Sequence, residues 1–298
     1  THLLLRPVSK GGDRWRLDPI LPDLQIHELD LLDAAALTRA AAEVRAEWVF
    51  HLASYGNSSW HTDLERISQT NFLTTTRLAT ACLDAGAEAF LHAGSSSEYG
   101  LKPFPPSEDT WLEPNSHYAV TKAAATLFCR YEAQKRGARL TTLRLYSAFG
   151  PFEDPNRLIP ALVLEGLKGC LPPLVHPEVA RDFVYIDDVV EAFVLAASDT
   201  TQPPGQVYNV GSGVQTTLRE AVTAARELMS IEAEPAWGAM PDRKWDTTTW
   251  VANARRIQEH LGWRPQCDFR EGLGRTVDWF RGNPEYVRGY GERRVRGK

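Results

Sequence analysis

The sequence predicts an α/β protein built around a doubly wound parallel sheet, with a smaller second lobe. In its first half, short apolar runs typical of strands alternate with longer segments whose apolar residues recur at helical spacing. Such alternation is typical of a parallel sheet covered by helices on both faces. The length of 298 residues, with 43% apolar and 24% charged residues, fits one large globular domain or two unequal ones.

The individual elements follow from their apolar period and from the polar, glycine or proline residues that bound them. The predicted strands, in chain order, are residues 3–5, 24–27, 48–52, 90–93, 139–146 and 206–210. The predicted helices, with apolar residues at i, i+3 and i+4, are residues 34–43, 63–85, 117–136 and 217–229.

The strand–helix rhythm is lost in two later segments. Residues 151–177 are rich in proline, and residues 231–280 again lack the alternation. We therefore predict a larger domain formed by residues 1–150 plus 184–229, and a smaller lobe formed by residues 151–183 and 230–298. Ligands of open α/β sheets bind beyond the carboxyl ends of the strands, so the cleft under the smaller lobe is the expected site.

Charge and composition exclude several classes of partner. With 33 basic and 38 acidic residues, the net charge of −5 gives no reason to expect a nucleic-acid partner. Charge-free apolar stretches such as residues 192–197 are far shorter than the ~20 residues that span a bilayer, and the N-terminus lacks the pattern of a signal peptide. The four cysteines show neither C-x-x-C nor metal-ligand spacing. We expect a cytoplasmic protein with reduced thiols, no metal and no membrane partner.

Tyr118 and Lys122 form a Y-x-x-x-K pattern on a predicted helix. The four-residue spacing places both side chains on one face, about 6 Å apart at Cβ. A nearby ammonium stabilises a tyrosinate, so the phenol can exchange a proton closer to neutral pH. By itself the pattern also fits an exposed pair on a helix.

Five further motifs accompany this pair in order along the chain. They are WVFHLA at 48–53, AGSSSEYG at 93–100, LRLYSAFGP at 143–151, RDFVYIDDV at 181–189 and YNVG at 208–211. Together, over about residues 3–281, they resemble the extended short-chain dehydrogenase/reductase family of nucleotide-sugar epimerases, dehydratases and reductases. The resemblance implies a Rossmann domain that holds a nicotinamide dinucleotide and a lobe that holds a nucleotide-diphosphate sugar. It also implies a homodimer formed through residues 63–85 and 117–136.

The resemblance assigns roles position by position. Tyr118 matches the catalytic acid/base, Lys122 the residue that lowers its pKa and bonds the nicotinamide ribose, and Ser95 the residue that bonds the reacting sugar oxygen. The implied cofactor-binding residues are Arg6, Asp30, Leu31, Leu52, Ala53, Tyr118, Lys122 and Tyr146. The implied substrate-binding residues are Ser96, Ser97, Ser147, Arg181, Arg243 and Asp246. The two arginines are expected on the diphosphate, because an arginine fork matches phosphate oxygens.

The glycine fingerprint of the family is missing. Neither G-x-x-G-x-x-G nor G-x-G-x-x-G occurs, and the pair Gly11-Gly12 lacks the spacing. We expect that roughly 30 residues, a first strand, a glycine-rich turn and a helix, precede Thr1 in the intact protein.

Two departures from the family pattern bear on the reaction. Sugar 4,6-dehydratases carry an acidic pair directly after the catalytic Ser/Thr, where this chain has Ser96 and Ser97, and UDP-glucuronate decarboxylases keep a Glu at the position of Ser97. Glu98 is one position further on, and strand alternation would direct its side chain to the opposite face. Arg6 stands where family members that prefer NAD usually carry an Asp, so we expect NADP(H) to be favoured over NAD(H), with Arg14 and Arg16 nearby.

These observations predict an NADP(H)-dependent 4-keto-sugar reductase. The alternative is a C4-epimerase, which uses the same three catalytic residues. A third hypothesis is a dinucleotide-binding regulator or scaffold without catalysis. The intact Ser95, Tyr118 and Lys122 argue against that hypothesis, because a protein that only binds has no use for a tuned phenol.

Overall fold

The computed structural model describes residues 1–10, 14–58, 61–241 and 246–296. Within these residues the strands are β1 His2–Leu5, β2 Gln25–Glu28, β3 Trp48–His51, β4 Ala89–Ser95, β5 Leu140–Leu145, β6 Ser147–Phe149, β7 Ala180–Arg181, β8 Phe183–Tyr185, β9 Val207–Val210 and β10 Thr216–Thr217. The helices are α1 Ala34–Val44, α2 Leu64–Ser68, α3 Thr74–Asp84, α4 His117–Arg136, α5 Leu158–Gly166, α6 Ile186–Ser198, α7 Leu218–Met229, α8 Arg255–Leu261, α9 Phe269–Gly282 and α10 Pro284–Arg296.

All six predicted strands and all four predicted helical segments form, with ends that differ by at most two residues. One segment differs internally, because residues 63–85 contain α2 and α3 with the π-helical turn Gln69–Leu73 between them. Polar side chains start the long helices: Ser116, for example, accepts the amide hydrogen of Ala119 at the beginning of α4. That helix ends at Gly137, whose φ of 64° is left-handed.

The strands form parallel pairs in the predicted way. β1 pairs with β2, and a four-stranded sheet has the order β3-β4-β5-β9. In the parallel register of β3 and β4, His51 lies beside His92. β6 and β8 form a further parallel pair, whereas β7 and β10 are antiparallel.

One face of the four-stranded sheet buries an apolar core against α1, α3 and α4. Its members are Leu37, Ala41, Leu78, Ala79, Cys82, Phe90, Cys129, Ala133 and Leu140. Because Phe90 and Leu140 come from adjacent strands and the rest from the three helices, this core fixes the position of α4 on the sheet.

The chain folds as two compact units. The first comprises Thr1–Gly100, Trp111–Arg144 and Phe193–Tyr208, and the second comprises Leu101–Thr110, Leu145–Ala192 and Asn209–Lys298. This partition differs from the predicted one chiefly at α6 and α7. The second unit contains α7, which packs on α5 and α9, and most of α6. None of the described helices combines the length and the apolar composition that crossing a membrane requires.

Candidate active site

Several of the predicted site residues of the first unit lie at or just after the carboxyl ends of strands. Arg6 follows β1, Leu52 and Ala53 follow β3, and Ser95 is the last residue of β4. Since β3 and β4 are parallel and in register, Leu52, Ala53 and Ser95 belong to the same edge of the sheet. This is the edge at which open α/β sheets bind ligands.

Asp30 and Leu31 lie just beyond β2 in a turn that is held in place. The Asp30 carboxylate accepts the amide hydrogen of Leu32 at 3.1 Å, and the hydroxyl of Thr74 donates to the carbonyl of Leu31 at 3.2 Å. Because Thr74 begins α3, the helix fixes the backbone of the turn that carries these two predicted cofactor-binding residues.

Arg14 and Arg16, two of the three arginines behind the predicted NADP(H) preference, are engaged within the protein. The Arg14 guanidinium pairs with Glu28 at the end of β2, and the guanidinium of Arg16 lies 4.6 Å from the ring centroid of Trp15. Arg6 itself is exposed at the end of β1.

Tyr118 and Lys122 lie one turn apart near the start of α4. Tyr118 is half-buried, whereas Lys122 is only 1% exposed. Burial lowers the pKa of Lys122 to about 8, and the Glu98 carboxylate acts in the opposite direction. Within the described part of the chain, the Lys122 ammonium makes no hydrogen bond.

Ser95 caps a short 3-10 turn, Ser96–Tyr99. Its hydroxyl accepts the amide hydrogen of Ser97 at 3.2 Å and lies 2.8 Å from the Ser97 hydroxyl, while its own amide donates to Glu98 Oε1 at 2.8 Å. The chain has left the strand at this point, so the predicted alternation at Glu98 is wrong: the turn brings its side chain back to Ser95.

Glu98 and Arg144 form a buried ion pair that the sequence analysis missed. Glu98 Oε2 accepts from Arg144 Nε at 2.8 Å, and Arg144 Nη1 donates to the Tyr99 hydroxyl at 2.8 Å. Thr126 of α4 donates to the other Glu98 oxygen at 3.0 Å. The pattern Ser95-x-x-Glu98 is that of a capping box, which identifies the contact between Glu98 and Ser95 but not the pairing with Arg144.

Asn71, in the π-helical turn, is a second residue that sequence analysis missed. Its amide group exchanges two hydrogen bonds with the backbone of Tyr55, both at 2.8 Å, and donates to Thr121 Oγ1 at 3.0 Å. Asn71 is fully buried, so these bonds tie the segment after β3, which includes Leu52 and Ala53, to α4.

His51 and His92 lie side by side on β3 and β4, with ring centroids 5.7 Å apart. His51 Nε2 lies 2.9 Å from Thr75 Oγ1. Burial and the Lys122 charge lower the pKa of His51 to about 3, and they lower that of His92 as well. Both histidines are therefore neutral imidazoles at pH 7.

The other predicted site residues belong to the second unit. Tyr146 is buried just after β5, and Ser147 starts β6. Arg181 and Asp246, separated by 65 residues in sequence, form an ion pair with a nitrogen–oxygen distance of 2.9 Å. Arg243, like the pair Gly11-Gly12, lies outside the described residues.

The residues present fit the two nucleoside ends of the implied nicotinamide dinucleotide. A buried ammonium without a hydrogen-bond partner in the described residues, at Lys122, is suited to a ribose hydroxyl pair, and Tyr118 lies one turn before it. The turns after β2 and β3 offer Asp30 and Ala53. The sequence has no glycine-rich turn for the pyrophosphate, so the fit concerns the two nucleoside ends alone.

Known proteins share the sequence of this chain over most of its length. The model of the NAD dependent epimerase/dehydratase family matches residues 5–211. The UDP-glucose 4-epimerase of Mycolicibacterium smegmatis is 33% identical over 259 residues, which cover 85% of this chain and 81% of that protein. The dTDP-glucose 4,6-dehydratase of Streptomyces antibioticus is 28% identical over 268 residues, covering 85% and 75%.

A solved structure shows the same likeness in three dimensions. The UDP-glucose 4-epimerase of Thermus thermophilus, crystallised in complex with NAD, superposes with a TM-score of 0.83 and 28% sequence identity. The match covers 94% of this chain and 91% of that one. The predicted Rossmann-type α/β fold is thereby confirmed.

Proposed function

The chain belongs to the NAD dependent epimerase/dehydratase family, and we propose that it is a C4-epimerase of a nucleotide-diphosphate sugar. One observation carries the choice within the family. The residues after Ser95 are hydroxyls at Ser96 and Ser97, and the next carboxylate, Glu98, is locked in its pair with Arg144. Loss of water from a sugar needs a further free acid and base, which this segment does not offer.

In this proposal the protein's own residues move and hold one proton. Tyr118 removes the proton of the sugar C4 hydroxyl as C4 is oxidised, and returns it when the opposite face is reduced. Ser95 donates to the same oxygen, and the Lys122 ammonium stabilises the tyrosinate. A bound nicotinamide dinucleotide supplies the hydride acceptor and donor, held by Lys122 and by the turns at Asp30 and Ala53.

We propose that the second unit supplies substrate contacts through Arg181, Asp246 and Ser147. The ion pair with Asp246 holds in the second unit a guanidinium, the group whose planar fork matches phosphate oxygens. Asp246 both orients the Arg181 guanidinium and balances its charge. Substitution of Asp246 is therefore expected to change the orientation of the guanidinium as well as the net charge of the pair.

The cofactor proposed here is NAD, which is bound in the Thermus epimerase structure. An NADP(H)-dependent 4-keto-sugar reductase is the second candidate, and exposed Arg6 is the observation that favours it. Replacing Arg6 by Ala tests whether the protein prefers NADP(H) to NAD(H). If Arg6 holds a 2′-phosphate, the affinity for NADPH falls at least tenfold and that for NADH stays unchanged.

The decisive experiment combines product analysis with absorbance at 340 nm. With UDP-glucose or UDP-galactose, we expect interconversion of the two sugars at catalytic cofactor and no net change in NADH. Tyr118→Phe is expected to lower kcat by about 10²- to 10⁴-fold. Stoichiometric consumption of NADPH by a nucleotide 4-keto sugar establishes the reductase instead, and an absence of both reactions together with absent dinucleotide binding refutes both enzymes.

We also propose a homodimer formed through α2, α3 and α4. The exposed side chains Val120, Leu127 and Tyr131 support it, since their spacing of seven and four residues places them on one face of α4. An apolar stripe on the surface of a helix is suited to a partner helix.

A further inference from the structure

We propose that Glu98 is a positioning residue of the proposed active site: its carboxylate fixes the backbone of Ser95 and serves as the counter-charge of Lys122. The inference rests on the proposed function for the roles of Ser95 and Lys122. Glu98 itself contacts no reacting group in this proposal and acts through its neighbours.

The tether to Ser95 is short and buried. Glu98 is 0% exposed, and its Oε1 accepts both the Ser95 amide hydrogen at 2.8 Å and the Thr126 hydroxyl at 3.0 Å. Thr126 lies one helical turn after Lys122 on α4. One carboxylate oxygen therefore joins the turn that carries Ser95 to the helix that carries Tyr118 and Lys122.

The other oxygen forms an ion pair, and the negative charge of the carboxylate also acts on Lys122. Glu98 Oε2 is paired with Arg144, which is 3% exposed and is held in turn by the Tyr99 hydroxyl. The Glu98 carboxylate also attracts the buried Lys122 ammonium, which raises the pKa of that group against the effect of burial. A tyrosinate is stabilised only while Lys122 keeps its proton, so Glu98 supports the tuning of Tyr118 indirectly.

Gly94 makes room for this carboxylate. A Cβ atom at position 94 would lie 2.9 Å from Glu98 Oε1 and 2.7 Å from Thr142 Cγ2. Both distances are shorter than a carbon atom tolerates, so the strand can pass over Glu98 only without a side chain at this position.

The test separates the charge of Glu98 from its reach. Glu98→Gln keeps an acceptor for Ser95 and removes the charge, whereas Glu98→Asp keeps the charge and shortens the tether. Glu132→Gln is the matched control, since Glu132 is a buried carboxylate that pairs with Arg136 on the same helix. The pKa of Lys122 is measured by ¹³C NMR of lysine-labelled protein, assigned with Lys122→Met, and the exchange of the Ser95 amide by ¹⁵N NMR.

We expect Glu98→Gln to lower the pKa of Lys122 by about one pH unit or more, and Glu132→Gln to leave it unchanged. Glu98→Asp is expected to leave that pKa unchanged, to speed exchange of the Ser95 amide at least tenfold, and to lower kcat more than it raises KM. If Glu98→Gln does not fold, the double variant E98Q/R144M removes both buried charges and is expected to show the same direction of pKa change.

An unchanged pKa of Lys122 in the charge-removing variant, or an unchanged Ser95 amide in Glu98→Asp, overturns the proposal. Both measurements are made without substrate or cofactor. If both readouts shift and the wild-type protein has no activity at C4, the positioning role of Glu98 stands and the proposed function fails. If the wild type is active and neither readout shifts, the proposed function stands and the role of Glu98 is refuted.

Discussion

His51 and His92 occupy neighbouring buried positions on β3 and β4, where a charged side chain is costly. Their burial, together with the positive charge of Lys122, keeps both imidazoles unprotonated. In the unfolded chain each histidine takes up a proton near its ordinary pKa of about 6.5. The folded state therefore becomes less stable, relative to the unfolded state, as the pH falls below that value.

For His51 the relevant window runs from about pH 6.5 down to about pH 3, the pKa in the folded state. Replacing His51 by Gln removes its part of this dependence, about 2 kcal/mol between pH 6.5 and pH 5. Urea denaturation at several pH values measures the effect, with His260→Gln, on an exposed histidine, as the control. A variant that loses as much stability in acid as the wild type contradicts the expectation.

Gly94→Ala is expected to destabilise the protein by about 1–3 kcal/mol. The new methyl group meets Glu98 Oε1 and Thr142 Cγ2, neither of which can withdraw without breaking buried contacts. The comparison variant is Gly274→Ala in α9, where the nearest atom is 3.9 Å away, and here we expect no loss of stability. Thermal or urea unfolding of both variants measures the effect. If Gly94→Ala and Gly274→Ala unfold at the same midpoint, the packing argument is wrong.

At the level of residues, the sequence predicted groups with a known motif and missed groups whose role depends on packing. The spacing of Tyr118 and Lys122 identifies one helix face from the sequence alone. The partners of Glu98 come from Arg144 and Thr126, 46 and 28 positions away, which no local pattern connects. The capping-box spacing after Ser95 was available, but the direction of the Glu98 side chain was predicted from strand alternation, because the sequence does not show the backbone angles of the turn that follows β4.

Among the elements, the π-helical turn Gln69–Leu73 is the one that connects two parts of the candidate site. Such turns insert a residue into a helix and redirect its side chains, and they are frequent at functional sites. Here Asn71 lies within the turn and forms hydrogen bonds with both Tyr55 and Thr121. The segment that includes Leu52 and Ala53 thereby depends on α4 for its position.

Asn71→Ala removes three hydrogen bonds from a buried position, so we expect a loss of about 2–3 kcal/mol in the free energy of unfolding. We also expect faster hydrogen exchange at the Tyr55 amide and weaker dinucleotide binding. Asn57→Ala, an exposed asparagine of the same segment, is the control and should change none of these. Unaltered exchange at Tyr55 in Asn71→Ala means that the segment is held by other contacts.

The apolar period predicted the helical segment 63–85 and could not predict its interruption. A period of 3.6 residues averages over several turns, and one inserted residue changes that average little. The turn contains Asn71, whose side-chain bonds reach Tyr55 and Thr121, 16 and 50 positions away, and a local period does not record such contacts. The same limit applies to strand ends, since a capping turn and a further strand residue differ only in backbone angles.

For the whole molecule, the sequence predicted residues 184–229 as part of the larger domain, whereas contacts group most of that range, including α7, with the second unit. Helix α7 shows the cause. The apolar spacing predicted this helix, whose buried residues include Leu218, Val222 and Ala225, and it carried no information on the helices that this face contacts. The structure packs α7 against α5 and α9, and all three helices belong to the second unit.

The proposed homodimer depends on the exposed apolar side chains of α4. Val120, Leu127 and Tyr131 are 49%, 56% and 61% exposed on one face of α4, so a charge in the middle of this stripe would be buried in a dimer at high cost. We expect the wild type to sediment as a dimer and Leu127→Arg to sediment as a folded monomer. Val214→Arg, which alters another exposed apolar residue in the second unit, should leave the dimer intact. A wild-type monomer refutes the dimer, whereas loss of the dimer in Val214→Arg alone places the interface on the second unit.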